Sequence, residues 1–158
     1  MGLSGMILKK GKSTDIHKLI NDIKMASINA GLEPRINSKM YKGMDGDVYT
    51  MGNIADTYDD IPEAQQWLMY IYSEDDWLNG LDHPLKHEIV MRAIIIENFS
   101  GCEKILLEFL YEYLKLNPED SFYDELKWYY TYEDIVHIKQ RKFERDWCYK
   151  NPHLEIDV

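Results

Sequence analysis

At 158 residues, 45% of them hydrophobic and 13% aromatic, the chain is sized for one domain around one substantial core. Its 28 acidic residues against 18 lysines and arginines give a net charge of -10, which repels nucleic acid and anionic membrane alike and makes a basic molecule the natural partner. Only two cysteines occur, Cys102 and Cys148, with no spacing that suggests a disulfide framework or a thiolate metal site, so a reducing cytosol is the expected compartment.

The opening MGLSGMILKKGKS lacks the apolar run of a signal peptide. Met6 stands where a myristoylation pattern wants Ser or Thr, and no segment reaches the length needed to cross a bilayer. Met6 to Lys9 is short enough to be a strand or an entry segment. Ser13 or Thr14 then caps a predicted helix with apolar positions Ile16, Leu19, Ile20, Ile23, Ala26 and Ala30 at three- and four-residue spacing, stopped by Gly31. Its other face carries Asp15, Lys18, Asp22 and Lys24, the pattern of a surface helix with one buried stripe. From Pro34 to Asp60 the chain is punctuated by Gly43, Gly46 and Gly52 and reads mostly as loop, with a short strand allowed over Val48 to Met51.

Helical signals return at Asp60, with Pro62 in a first turn and Ala64, Trp67, Leu68 and Ile71 spaced for a helix ending near Ser73. Asp82 and Pro84 introduce LKHEIVMRAIIIENF, in which only Arg92 is polar between Ile89 and Ile96; this predicts a central, most buried helix. Ser100 and Glu103 have the form of a capping box before a stripe of Ile105, Leu106, Phe109, Leu110, Tyr113 and Leu114. Asn117-Pro118 ends that helix and starts another turn, and Thr131 with Asp134 caps a last short helix holding Ile135, Val136 and Ile138. The expected fold is therefore mainly α: a single compact helical domain of about five to six helices, with at most a minor β element. Within it lie an acidic segment over 43–85, a helical core over 86–138 and a basic aromatic tail over 139–150.

The acidic segment carries the charge argument. Between Lys42 and Lys86 there is no lysine or arginine, and ten acids fall there: Asp45, Asp47, Asp56, Asp59, Asp60, Glu63, Glu74, Asp75, Asp76 and Asp82. Without them acids and bases balance at 18 each, so this segment accounts for the whole net charge. Tyr49, Tyr58, Trp67, Tyr70, Tyr72 and Trp77 are interleaved with the acids, large amphipathic groups of the kind that anchor interfaces. The residues expected to meet a partner are Asp45, Asp47, Tyr49, Asp56, Tyr58, Asp59, Asp60, Glu63, Glu74, Asp75, Asp76 and Trp77. The tail, with Arg141, Lys142, Arg145, Trp147 and Tyr149, is the internal competitor, able to fold back and neutralise those carboxylates.

Patterns for chemistry are sparse. Asp45 and Asp47 fit the first positions of a twelve-residue calcium loop, but Tyr49, Thr50 and Asp56 stand at positions five, six and twelve, and the glycine that the loop geometry needs is missing. His83 and His87 lie one helical turn apart, a spacing that can chelate zinc, with no sequence neighbour as third ligand; two helix-face histidines are the expected reading, with no metal or cofactor. Cys102 near a helix start is a conceivable nucleophile, but nothing in the spacing pairs a histidine with it. Phosphate-cradling glycine loops and the esterase elbow are absent.

These features predict a small acidic cytosolic binding protein, not an enzyme, that neutralises a basic protein. In size and charge the chain resembles the immunity proteins of bacterial toxin systems, and that resemblance implies an antitoxin role against a basic toxin domain such as a nuclease. Two alternatives use the same residues differently: a nucleic-acid mimic inhibiting a defence or DNA-binding protein, and a small metal-dependent enzyme built on His83 and His87.

Overall fold

The computed structural model describes residues 3–10, 15–44, 46, 48–57, 65–73 and 90–153. In chain order they form β1 (Gly5–Lys10), α1 (Ile16–Asn29), β2 (Glu33–Ile36), β3 (Tyr41–Lys42), β4 (Val48–Ala55), β5 (Gln66–Tyr72), β6 (Val90–Glu97), α2 (Glu103–Leu116), β7 (Ser121–Asp124), β8 (Tyr129–Tyr130) and α3 (Tyr132–Gln140). The strands make one sheet in the order β2-β4-β5-β6-β1-β7-β8, with β3 also paired to β4, and every pairing is antiparallel.

This overturns the expectation of a mainly α domain. The two apolar runs read as helices, over 62–73 and 85–99, contain β5 and β6. Trp67, Met69 and Ile71 alternate into the core from β5, while Ile94 and Ile96 do so from β6. Short runs of seven or eight residues rich in Ile, Tyr and Val suit a pleated surface, and apolar side chains on both faces of a central strand hide the alternation that marks a half-buried one. The segment read mostly as loop holds β2, β3 and β4. Gly52 lies inside β4 because β2 passes close: an added Cβ would sit 2.8 Å from the Arg35 carbonyl oxygen. A glycine in that position marks close backbone approach rather than a turn.

The helical stripes that are sustained over three turns are present as helices. Asp15 caps α1 by accepting from the His17 amide, and Gly31, at φ +77°, ends it in the left-handed conformation that glycine adopts without strain. Leu106, Phe109, Leu110, Tyr113 and Leu114 of α2 are fully enclosed, packing with Leu19 and Ile23 of α1 against Ile7, Trp67 and Ile96 of the sheet. Each such side chain contributes about 1.5–3 kcal/mol relative to leaving it in water. Ser100 does not cap α2; its Oγ accepts from the Leu3 amide, and Glu103 accepts from the Gly101 amide at 2.6 Å. Thr131 and Asp134 do form the capping box of α3. Pro118 and Glu119 do form a turn, closed by the Asp120 amide donating to the Asn117 carbonyl at 3.0 Å, but it opens no new helix. The chain passes instead into β7, which pairs with β8 as a hairpin.

Two buried polar clusters tie the layers together. Lys9 of β1 points into the helical layer, its Nζ 2.6 Å from Asp120 Oδ2, and the Tyr113 hydroxyl donates to the same oxygen at 2.9 Å. Glu103, only 3% exposed, accepts from the Gly101 amide, the Tyr149 hydroxyl and Arg145 Nε, while its own carbonyl accepts from the Trp147 indole. Burial alone would raise the Glu103 pKa, but these hydrogen bonds outweigh it and hold the carboxyl below its ordinary value. The tail is therefore seated on the start of α2. Its ion pairs among the described residues include Lys139 to Glu108, Arg145 to Glu103, and Lys150 to Glu144 and Asp146.

Candidate functional site

Because β4 and β5 pair in register from Tyr49↔Tyr72 to Ala55↔Gln66, alternate residues of this hairpin face away from the helices. On that outer face Tyr49 sits at the centre of an aromatic cluster. Its ring is 5.8 Å from Tyr41 in a stacked arrangement, 5.8 Å from Tyr70 edge-on and 6.0 Å from Tyr72. The Arg92 guanidinium lies 4.6 Å from the Tyr72 ring centroid, and its Nε is buried without a hydrogen-bond partner. Met51, Tyr70 and Ile95 are half-buried on this face, and Leu68 is exposed.

The cluster is held from behind. The buried Thr50 hydroxyl lies 2.9 Å from both the Asn37 and Lys39 carbonyls, fixing the connection between β2 and β3 against β4. The Asn37 side-chain amide donates to the Tyr41 hydroxyl at 2.6 Å, and the Asn37 backbone amide donates to Met51. Across the hairpin, Asn53 donates to Gln66 at 2.6 Å. Aromatic groups with two soft torsions, seated on paired strands, lose little further entropy when a partner covers them.

Of the residues expected to meet a partner, Tyr49 is at the centre of this face. Asp56 is exposed just beyond the far end of β4, about 23 Å along the strand from Tyr49 at ~3.3 Å per residue. Asp45, Asp47, Tyr58, Asp59, Asp60, Glu63, Glu74, Asp75, Asp76 and Trp77 lie outside the described residues, as do His83 and His87. Trp67, counted among the interface anchors, is 2% exposed and packs edge-on against Phe109 at 5.6 Å, so it belongs to the core. Tyr41 and Arg92 were missed; the two-residue alternation of Tyr70 and Tyr72 was the signal that could have found the face, had the segment been read as a strand.

Protein-family models, characterised proteins and solved structures were all compared with the chain, and none matches it.

The remaining chemical candidates are structural by geometry. Cys102 and Cys148 are both reduced and buried, and burial pushes the Cys102 thiol up and the Cys148 thiol up to about 12, the opposite of an activated nucleophile. No cluster of three or more potential metal ligands occurs among the described residues, and no described helix is long and apolar enough to cross a membrane.

Asp124, 1% exposed, has its pKa pushed up to about 6, chiefly by burial against the lowering effect of the Trp128 and Leu126 amides that donate to it. Those amides belong to the β7–β8 turn, where Lys127 is held at φ +66°, so the side chain organises a hairpin rather than a catalytic cleft. Since its folded pKa stands above the ordinary 3.8, its stabilising contribution is complete below about pH 4 and is lost as pH rises through about 6. Asp124→Asn should accordingly flatten the stability profile between pH 4 and 7, removing a wild-type loss of up to about 3 kcal/mol. Urea denaturation of both proteins across that range measures it.

Proposed function

We infer that the chain is a binding protein whose outward β4–β5 face captures a basic protein, with an immunity-type inhibitor of a basic toxin domain as the leading identity. The observation that supports this reading is the packed cluster of Tyr49, Tyr70 and Tyr72, all from the segment that carries the whole net charge, with Tyr41 stacked beside it. Complementary charge speeds encounter, and desolvated aromatic anchors slow release, so the two features serve different halves of one affinity. The sheet supplies rigidity, and the Arg92 guanidinium packs over the Tyr72 ring at one side of the cluster.

The test is binding to the polypeptide encoded in the reading frame beside this gene, followed by titration in rising salt. A basic domain captured with affinity that falls steeply between ~50 mM and ~500 mM salt is the expected result. Tyr49→Ala with Tyr70→Ala should weaken capture by about 100-fold, and lysine reversal of Asp59, Asp60, Asp75 and Asp76 should chiefly slow association. Thermal melts check that the variants remain folded. Salt-independent capture, or full capture by the tyrosine variant, rejects the reading.

A further inference from the structure

The outward side of the sheet stays apolar well beyond the tyrosine cluster. Register places Met51 of β4 beside Tyr70, Tyr70 beside Ile95, Ile95 beside Met6 and Met6 beside Tyr123 of β7, so one row of outward side chains crosses five strands. All five are half-buried, and none belongs to the core cluster. At ~4.8 Å per strand spacing the row is about 19 Å long. Among the described residues the three helices pack on the opposite side of the sheet, through Leu19, Leu110 and Ile135.

This band has definite borders. Behind it Leu8 and Tyr72 are buried, with the Arg92 guanidinium over the Tyr72 ring. Past Tyr123 the next strand presents Tyr129, buried with the His153 ring 4.6 Å away. In front stand Leu68, exposed, and directly across from it Glu97, also exposed and without an ion pair among the described residues. Glu125 is exposed at the same end of the strands, its carboxylate accepting from the Ser4 amide. Successive rows on one face are ~6.6 Å apart, so the accessible apolar band is only one to two side chains wide.

We propose that the band seats a single amphipathic helix with basic flanks, supplied by the partner that the tyrosine cluster captures; the inference rests on that reading and carries the contact across β6, β1 and β7. A helix of about 13 residues spans this length at 1.5 Å per residue, and its one apolar stripe matches the narrow band. A second sheet, or a second copy of this one, needs an apolar surface several rows deep, whereas here the row behind is closed and the row in front is charged at Glu97. Lysines or arginines beside the stripe would meet Glu97, Glu125 and the field of a chain carrying -10, which repels an acidic helix and a second copy alike. Met6 and Met51, unbranched and polarizable, can repack against helical ridges, and Tyr70 belongs to both the cluster and the band.

The probe is a synthetic peptide of about 14 residues, leucine along one helical stripe and lysine elsewhere, titrated into the full chain while methyl and tyrosine-ring resonances are followed. Saturable shifts at Met6, Ile95 and Tyr123 as well as Tyr70 are expected, with a dissociation constant of about 100 µM or tighter. The same leucines and lysines ordered without a stripe, and a peptide with glutamate in place of lysine, should each bind ~10-fold more weakly. Met6→Gln with Tyr123→Ser should lower affinity for the striped peptide about tenfold while thermal melts stay cooperative. The proposal is overturned by shifts confined to Tyr41, Tyr49 and Tyr72, by equal affinity for either control peptide, or by no saturable shift up to ~1 mM peptide. Concentration-dependent shifts of the same residues in the protein alone overturn it too, by assigning the band to a second copy. On the neighbouring frame's basic polypeptide the two readings separate: capture lost with Tyr49→Ala and Tyr70→Ala but kept with Met6→Gln and Tyr123→Ser rejects the band and leaves the tyrosine face standing. Binding of the striped peptide without capture of that polypeptide rejects the polypeptide as partner and supports the band.

Discussion

Replacing Lys9 by Met is expected to destabilise the protein by about 3–5 kcal/mol near neutral pH, the loss typical of breaking one side of a buried ion pair. Lys9 and Asp120 are each 6% exposed, and the ammonium is the only charge of opposite sign placed directly against that carboxylate among its described contacts. Asp120 is already pushed above its ordinary pKa, mainly by burial, with Lys9 and the Tyr113 hydroxyl pulling the other way. Without Lys9 the carboxyl must take up a proton or draw water into a site enclosed by Tyr113. The folded pKa of Asp120 then rises further, so the variant loses stability more steeply as pH increases from below 4 towards neutrality. The gap between variant and wild type should consequently narrow in acid. Adding Asp120→Asn to Lys9→Met should recover much of the loss, because the neutral amide still accepts from Tyr113 and no longer carries an unpaired charge. Urea denaturation of the four proteins in this cycle, at pH 4.5 and 7.5, measures both effects; a Lys9→Met cost below about 1 kcal/mol would show that the pair is solvated.

Glu103→Ala should cost about 2–4 kcal/mol and loosen the tail. The substitution deprives the Gly101 amide, the Tyr149 hydroxyl and Arg145 of one shared acceptor, while Trp147 keeps its bond to the Glu103 backbone. The expected signature is thus partial release: trypsin cleavage after Lys142 and Arg145 accelerated by an order of magnitude or more, with the sheet still folded. The pH dependence runs opposite to that of Asp124. Glu103 has a folded pKa below its unfolded value, so its contribution is present above about pH 4.5 and disappears as pH falls through the lower folded pKa. Limited proteolysis and denaturation at pH 7 and below pH 4 distinguish the two carboxyls. An unchanged cleavage rate would mean that the aromatic contacts of Trp147 suffice to seat the tail.

How much of this architecture was legible in the sequence depends on the distance over which each element is decided. α1, α2 and α3 were readable because a stripe at helical spacing and a stop are local, although Asp15 rather than Ser13 or Thr14 caps α1 and Ser100 does not cap α2. The Thr131 and Asp134 pair shows this best, since both halves of its cap lie within one turn. The segments over 66–72 and 90–97 were not readable in the same way. Trp67, Leu68 and Ile71 satisfy a helical spacing, yet Trp67, Met69 and Ile71 satisfy a strand equally well, and the run is too short to separate the two. What selects the strand is its neighbours: β5 finds β4 on one side and β6 on the other, and β6 pairs with a β1 that lies more than 80 residues earlier in the chain.

The candidate site inherits the same division. Net charge, its concentration in one segment and the abundance of tyrosine there are properties of composition, and no folding is needed to know them. Which of those aromatics face outward is a property of pairing register, because a one-residue slip along β4 or β5 would exchange Trp67 for Tyr70 and Tyr72 on the outer face. The cleft of about 270 Å³ between α3, the tail and α2 is further from view still, since Leu107, His137, Lys142 and Trp147 converge only when α3 and the tail dock on α2. The amino-acid order alone thus determined the charge, the three helices and the Thr131 cap of α3. Tertiary pairing decided the sheet, the outward tyrosines and the cleft, because a strand gains its hydrogen bonds only from partners distant in the chain whereas a helix closes its own.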